Sequence, residues 1–329
     1  MGCVDGRRAS TPCPQRTPPL TASPCIMYRR RRATVTNDKL IQLLRPVSVR
    51  LARLKGTGLP RISAWLARFF RQRWAGAEVS ITDFRGRFRI DVDPRDEMGS
   101  QILWFDSYSE VELNLLPSLL QPGDTFIDAG ANIGEFALTA AGLVGPHGKV
   151  IAIEPMPQML EKLTRHVEAN GLGNVSLVGE AVGSSEGSIA LFAPSAQASG
   201  MNTGLTTRYA TGDRSTKVAE VAMTTIDTLA DRFALTKVAG IKIDIEGGEL
   251  DAFRGAMQSL RRFRPWILCE IGKSTCDAAG YPPSALLDIL FSLNYRVTDV
   301  ADGREIKSAA ELGDWQNVLA VRRDTTENE

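Results

Sequence analysis

The residues best suited to chemistry stand in two short runs, Asp128-Ala-Gly-Ala-Asn-Ile-Gly134 and Lys242-Ile-Asp-Ile-Glu-Gly-Gly-Glu249. The first follows the apolar Thr125-Phe-Ile and precedes a helical pattern, so it reads as a strand running through a glycine-bearing turn into a helix. In an open α/β sheet, such a turn binds ligands at the carboxyl ends of the strands. Gly130 lets the backbone approach a ligand, and Gly134 lets the helix begin close to the strand. Asp128 is expected at the strand tip and Asn132 in the turn. A dinucleotide would require G-x-G-x-x-G, because its pyrophosphate rests on bare backbone at the helix N-terminus. Here Asn132 takes the place of the second glycine, and Asp128 is expected to face the phosphate position. An acid there repels pyrophosphate and suits a cationic amino-acid group. S-adenosylmethionine has an amine and a sulfonium and no phosphate, so the loop favours a methyl donor over NAD.

Lys149-Val-Ile-Ala-Ile-Glu-Pro155 reads as the next strand, ending in Glu154. A carboxylate at that tip can accept hydrogen bonds from both ribose hydroxyls, with Pro155 beside it. NAD enzymes use the same device, so Glu154 supports a nucleoside without choosing between the two. At the third strand end, Glu180 is expected to receive the adenine amino group, with Ala181 beside the ring.

Methyl transfer is an in-line displacement, which needs aligned reactants and excluded water. A hydroxyl acceptor is a weak nucleophile that a positioned base assists. Asp244, ending the fourth strand, is expected to orient the acceptor or act as base, and Glu270, ending the fifth, is a second candidate base. Glu246 and Glu249 are candidate acceptor contacts, although acids are also favoured at a helix N-terminus for structural reasons. Lys242 in mid-strand reads as an ion-pair partner. The same carboxylates could hold Mg²⁺, but no metal is the default. His147 and His166 fall in a glycine-rich turn and on a helix, which leaves a carboxylate as the default base.

These blocks, with Asn170 to Asn174 and Glu180-Ala-Val-Gly183, resemble the FkbM-type methyltransferases over about residues 105–275. Ile245 and Gly248 stand where Val and Ala are commoner in that family, and Phe136 where Tyr is frequent. The resemblance implies a class I methyltransferase (Rossmann-like) α/β fold with seven strands, the last one antiparallel and inserted into the sheet. It also implies O-methylation of a hydroxyl on a sugar, glycolipid, polyketide or similar metabolite.

The elements that must position these groups follow from periodicity. Strands are expected at 125–129, 149–153, 175–182, 240–245, 265–271, 294–300 and 316–322, with helices at about 134–143, 157–170, 248–262 and 283–293. Strand–helix alternation implies a mostly parallel sheet covered on both faces. This defines an α/β domain over 124–323, which the resemblance implies is the class I methyltransferase domain, preceded at 78–123 by a hairpin turning at Arg85-Gly86 and a helix from Ser109 to Leu120. Ser188–Phe192 and Val218–Met223 read as strands of an insertion, with Ser199–Gly204 as an acceptor lid or an exposed loop.

Residues 36–77 read as a basic helical extension. One apolar stripe is Leu40, Leu44, Val47, Leu51 and Leu54, with a break or restart at Pro46; the other is Ile62, Trp65, Leu66, Phe69 and Phe70. The extension is expected to pack on the body or on a second copy, or to lie on an anionic membrane. Residues 1–35 and 324–329 read as disordered tails, and Met27 is an alternative start. Met1-Gly2-Cys3 has Gly6 where the myristoylation pattern needs Ser or Thr.

The formal charge of +1 conceals an asymmetry, because residues 1–75 carry sixteen Lys/Arg against Asp5 and Asp38. The remainder is acidic, which argues against a nucleic-acid substrate. Five cysteines without regular spacing indicate a reducing, cytoplasmic setting. No apolar run approaches the roughly 20 residues that span a bilayer. Two rival functions remain: a nicotinamide-dependent oxidoreductase, and a non-catalytic binding module that keeps the fold.

Overall fold

The computed structural model describes residues 38–193 and 216–323. The tails at 1–35 and 324–329 and the Ser199–Gly204 segment lie outside the described residues. The chain begins with α1 (Asp38–Ala52) and α2 (Pro60–Arg73), then the hairpin β1 (Val79–Phe84) and β2 (Phe88–Val92), then α3 (Glu97–Phe105) and α4 (Glu110–Leu119). Arg85 and Gly86 both take positive φ at the hairpin turn, as expected. The two N-terminal helices belong to the core. Ile41, Leu66, Phe70 and Trp74 pack in one cluster with Phe84, Trp104 and Leu113, and the Phe70 and Trp104 rings lie 4.9 Å apart.

The buried faces of these helices differ from the expected stripes. α1 continues through Pro46 and buries Ile41, Arg45, Ser48 and Val49, leaving Val47 exposed. α2 buries Ser63, Leu66 and Phe70, leaving Ile62 and Trp65 exposed. Polar anchoring decides the rotation of α1. Arg45 contacts Asp83 at 2.5 Å and Asp106 at 2.7 Å, Ser48 donates to the carbonyl of Trp104 at 2.9 Å, and Ser63 donates to the carbonyl of Ser48 at 2.8 Å. A buried guanidinium must be paired, and apolar periodicity carries no record of that requirement.

The large sheet begins with β3 (Thr125–Ala129), β4 (Lys149–Ile153) and β5 (Val175–Val178), joined through α5 (Glu135–Val144) and α6 (Pro157–Ala169). The chain then forms a second, three-stranded sheet from β6 (Ala181–Val182), β7 (Gly187–Ala193) and β8 (Thr216–Thr224), followed by α7 (Ile226–Arg232). It returns with β9 (Gly240–Ile243), α8 (Glu249–Arg254), α9 (Met257–Phe263), β10 (Trp266–Gly272), α10 (Lys273–Ala279), α11 (Ser284–Ser292), β11 (Tyr295–Asp299), β12 (Glu305–Ile306) and β13 (Trp315–Arg322). The large sheet has the order β12-β11-β13-β10-β9-β3-β4-β5.

The pairs β10–β9, β9–β3, β3–β4 and β4–β5 are parallel, and β13 lies antiparallel between β10 and β11. This is the expected class I arrangement, with the two-residue β12 as an eighth strand. The chain reverses direction at β3, whose neighbours are β4 and β9, so the switch point lies at the ends of β3 and β9.

Two expected elements are divided. The strand at 175–182 ends at Val178 and β6 joins the other sheet; between them Gly179 lies against Leu160, where a Cβ would sit 2.7 Å from a Leu160 methyl. The helix at 248–262 breaks at Gly255, which packs on the Gly183 backbone so closely that a Cβ would stand 2.1 Å from its carbonyl oxygen. Asp227 accepts from the amides of Gln258 and Ser259 at 3.0 and 2.7 Å and so caps α9.

Candidate active site

A cavity of about 380 Å³ opens at the switch point. The β3–α5 loop forms its floor. Gly130 has φ +84°, and a Cβ there would lie 2.0 Å from the carbonyl oxygen of Asp244, so only glycine lets the loop cross the end of β9. The amides of Gly130 and Ala131 donate to the carbonyl of Ile153 at 3.0 and 2.9 Å. Asn132 adopts φ +48°, a conformation that Asn tolerates better than most residues. Its side-chain oxygen is buried without a hydrogen-bond partner at the cavity wall, an acceptor available to a ligand's donor. Gly134 (φ +103°) starts α5 against α6, where a Cβ would meet Leu163 at 2.6 Å.

Glu154 and Pro155 follow β4 and line the cavity. The Glu154 carboxylate accepts from the amides of Asn132 and Met156, both at 2.9 Å. Burial raises its pKa to about 7 against the opposing effect of those two hydrogen bonds. The carboxylate thus ties the loop to the β4 tip at the wall of the cavity.

Lys242 organises the centre of the site. Its ammonium donates to the carbonyl of Gly130 at 2.9 Å and lies 3.4 Å from Asp244 and 3.7 Å from Asp128. It also sits 5.1 Å from the centre of the Phe136 ring. Burial disfavours its charge, but Asp244 and Asp128 outweigh that and hold its pKa above the ordinary lysine value. Asp244 is partly exposed and lines the cavity with Glu246 and Glu270. Glu270 is raised to about 8, first by burial and then by the neighbouring charges of Asp244 and Glu246.

The family of the chain follows from this same stretch, because residues 128–297, just over half of the sequence, match the model of the methyltransferase FkbM domain. The chain belongs to the FkbM methyltransferase family. Among curated proteins it is 29% identical over 194 residues to Methyltransferase 1 of Beauveria bassiana, covering 54% of this chain and 74% of that one. It is 30% identical over 125 residues to an arsenite methyltransferase of Halobacterium salinarum, covering 32% of each. The chain thus spans only about a third of the latter's length. Among solved structures, an FkbM methyltransferase from Methylobacillus flagellatus aligns over 80% of this chain and 59% of its own at 17% identity, with a TM-score of 0.36.

Within the FkbM domain, the sequence-derived site residues divide by location. Gly130, Asn132, Glu154, Pro155, Ala181, Asp244, Glu246 and Glu270 all line the one cavity. Three of the other expected residues sit elsewhere. Asp128 lies fully buried beneath the loop, where it meets Lys242 rather than the cavity. Burial raises its pKa, and the nearby Lys242 charge lowers it. Asp128 stands opposite Lys242 in the parallel β3–β9 register, which puts both side chains on the same face of the sheet.

Glu180 forms a salt bridge with Arg232 at 2.6 and 3.1 Å instead of entering the cavity. Its strand ends early, so residue 180 falls in the crossing to the second sheet. Glu249 accepts from the amides of Ile245 and Gly247 at 3.0 and 3.1 Å and from the Tyr281 hydroxyl at 3.2 Å. It therefore staples the loop after Asp244, which is the structural role of an acid at a helix start. Burial raises its pKa to about 7, against the pull of those amides.

Sequence reasoning missed several contributors. Glu135 is buried and accepts from Ser107 at 3.1 Å and from the Tyr108 amide at 2.6 Å, pinning 107–109 to the start of α5. Its position directly after Gly134, at a helix N-terminus, is the available signal. Tyr108, Met98 and Trp315 line the cavity from three separate segments, and no local pattern marks them. Ile189 and Leu191 reach it from β7, so the insertion forms part of the wall.

His166 lies on α6, as expected. Its Nδ1 faces the Ile133 carbonyl at 2.7 Å and its Nε2 accepts from the Asp91 amide at 2.9 Å, so the ring fastens the hairpin to the loop. Among the described residues, no group of three or more His, Cys, Asp or Glu is arranged to hold a metal ion. The cation that the geometry places between Asp128 and Asp244 is Lys242. No helix of the described residues is long and apolar enough to cross a membrane.

Proposed function

We propose that this FkbM-family protein transfers a methyl group from S-adenosylmethionine to a hydroxyl of a neutral small molecule, sugar, glycan or polyketide-type metabolite. The observation that carries this reading is that one cavity joins a nucleoside-type floor to a carboxylate end. Asn132 and Glu154 form the floor, and Asp244, Glu246 and Glu270 form the other end. When bound, the donor supplies a methyl on a positively charged sulfur. Carboxylates near it favour that charge electrostatically and would repel a pyrophosphate, which supports a methyl donor over a dinucleotide.

The residues divide the work as follows. Glu154 and the unpartnered Asn132 oxygen accept hydrogen bonds from the donor's hydroxyl and amino groups. Lys242 fixes the Gly130 carbonyl and the Asp244 carboxylate, so the acceptor meets a group whose orientation is already set. Asp244 orients the acceptor through a polar group beside the attacking hydroxyl, which leaves that hydroxyl's own hydrogen directed at Glu270. Glu270, raised to about 8, is matched to take its proton near neutral pH. The oxygen–methyl bond forms as the sulfur–methyl bond breaks, and that electron pair stays on sulfur. Tyr108, Trp315 and the β7 side chains narrow the entrance and limit water.

Calorimetric titration with S-adenosylhomocysteine and with NAD tests the cofactor. Binding of the first is expected, and binding of NAD alone overturns the reading. An acceptor screen that follows methyl incorporation tests the atom methylated. Product methylated only on nitrogen, carbon or sulfur overturns O-methylation.

A further inference from the structure

We propose that the outer face of α1 and α2 docks on an anionic lipid surface. Each helix buries one face in the core and presents an apolar stripe on the other. On α1, Leu43 is 71% and Val47 58% exposed. On α2, Ile62 is 44% and Trp65 59% exposed, and Trp65 stacks on Phe69 at 5.2 Å. The spacings are four and three residues, which place each pair on one side of its helix.

The charge around these stripes chooses the occupant. Residues 38–75 contain nine Lys/Arg and one acid, Asp38. Arg45, Arg53, Lys55 and Arg71 are paired with acids of the body. Lys39, Arg50, Arg61 and Arg68 are exposed and form no salt bridge among the described residues. On an ideal helical wheel, Lys39 and Arg50 fall next to Leu43, and Arg61 and Arg68 next to Trp65. An apolar stripe bordered by free cations is the signature of a helix lying in an anionic interface, with the rings at headgroup depth and the cations at lipid phosphates. A second copy of the same face would bring eight such cations together, which like-charge repulsion opposes.

The test uses the full chain and flotation with phosphatidylcholine vesicles, with and without phosphatidylglycerol. Binding only to the anionic vesicles, weakening as salt is added, is expected, together with a blue shift of Trp fluorescence. Replacing Lys39, Arg50, Arg61 and Arg68 together by Gln lowers the partition coefficient by about fivefold per charge, or several hundredfold in all. Leu43→Ser with Trp65→Ser abolishes the residual binding. All six side chains are exposed, and an unchanged thermal midpoint checks that the fold survives.

Three outcomes overturn the proposal. The chain could fail to float with anionic vesicles. It could float equally well in every variant, which would assign the binding to other basic residues. It could instead form a dimer that the apolar substitutions dissociate, which would make this face an interface between copies.

Discussion

Replacement of Lys242 by Met tests how the site is assembled. The substitution keeps the side-chain length and removes one buried charge lying 3.7 Å from the fully buried Asp128 and 3.4 Å from Asp244. At an effective dielectric near 20, each such pair is worth about 4–5 kcal/mol. The Asp244 share is discounted because that side chain is partly exposed and water screens it. The Asp128 share cannot be recovered from water, since that side chain is fully buried and keeps only the Ala137 amide beside it.

Removing one member of a buried pair costs about 3–5 kcal/mol. Protonation of Asp128, whose pKa burial already raises, limits the loss to the lower end. The sign with pH follows from the direction of each shift. Lys242 has a raised pKa, so its contribution is complete below the ordinary lysine value and constant across the neutral range. In the variant the Asp128 pKa rises further. Protonation then stabilises the fold below the unfolded carboxylate value, and this support is lost as pH rises.

Urea unfolding is therefore expected to show a loss of about 3 kcal/mol at about pH 8 and a clearly smaller loss at about pH 5. The double variant Lys242→Met, Asp128→Asn should recover at least about 1 kcal/mol of the loss near pH 8, because no buried charge is left unpaired. A pH-independent loss, or strict additivity in the double variant, would refute the assignment of Lys242 as the counter-charge of Asp128.

Gly130→Ala forces a Cβ toward the Asp244 carbonyl at 2.0 Å in a φ +84° conformation, and is expected to weaken S-adenosylhomocysteine by at least about a hundredfold; calorimetry checks it. If Glu270 is the base, the pH profile of kcat/KM rises through about 8 as its carboxyl ionises, and Glu270→Gln removes that limb. Burial lowers the pKa of His166, which accepts the Asp91 amide in its neutral form. Stability should therefore be complete above the ordinary value of 6.5 and decline as pH falls below it. Thermal unfolding of His166→Gln, which can still accept one hydrogen bond, should show a weaker decline in that window.

The sequence by itself determined the class of fold and the place of the site. Alternating strand and helix periods placed β3, β4, β9, β10, β11 and β13 within two residues or so of their ends. The glycine turn after β3 marks the switch point in the sequence itself. These features are local: a buried parallel strand needs an apolar run, and a loop crossing a neighbouring strand needs glycine at the point of contact. The same locality made Glu154, Asp244 and Glu270 legible, since the first two follow an apolar strand directly and the third is the first acid of one.

The direction of each side chain was decided by tertiary structure alone. Asp128 and Asp244 are both acids at strand ends, yet one lies under the loop and the other faces the cavity. Glu180 met Arg232, a residue 52 positions away. The rotation of α1 was settled by Arg45 reaching Asp83 and Asp106 from the following segments, against its own apolar stripe. In each case the deciding partner is distant in sequence, and a buried charge must find it wherever it lies. Periodicity records which residues prefer to leave water; it holds no information about which distant charge they will meet.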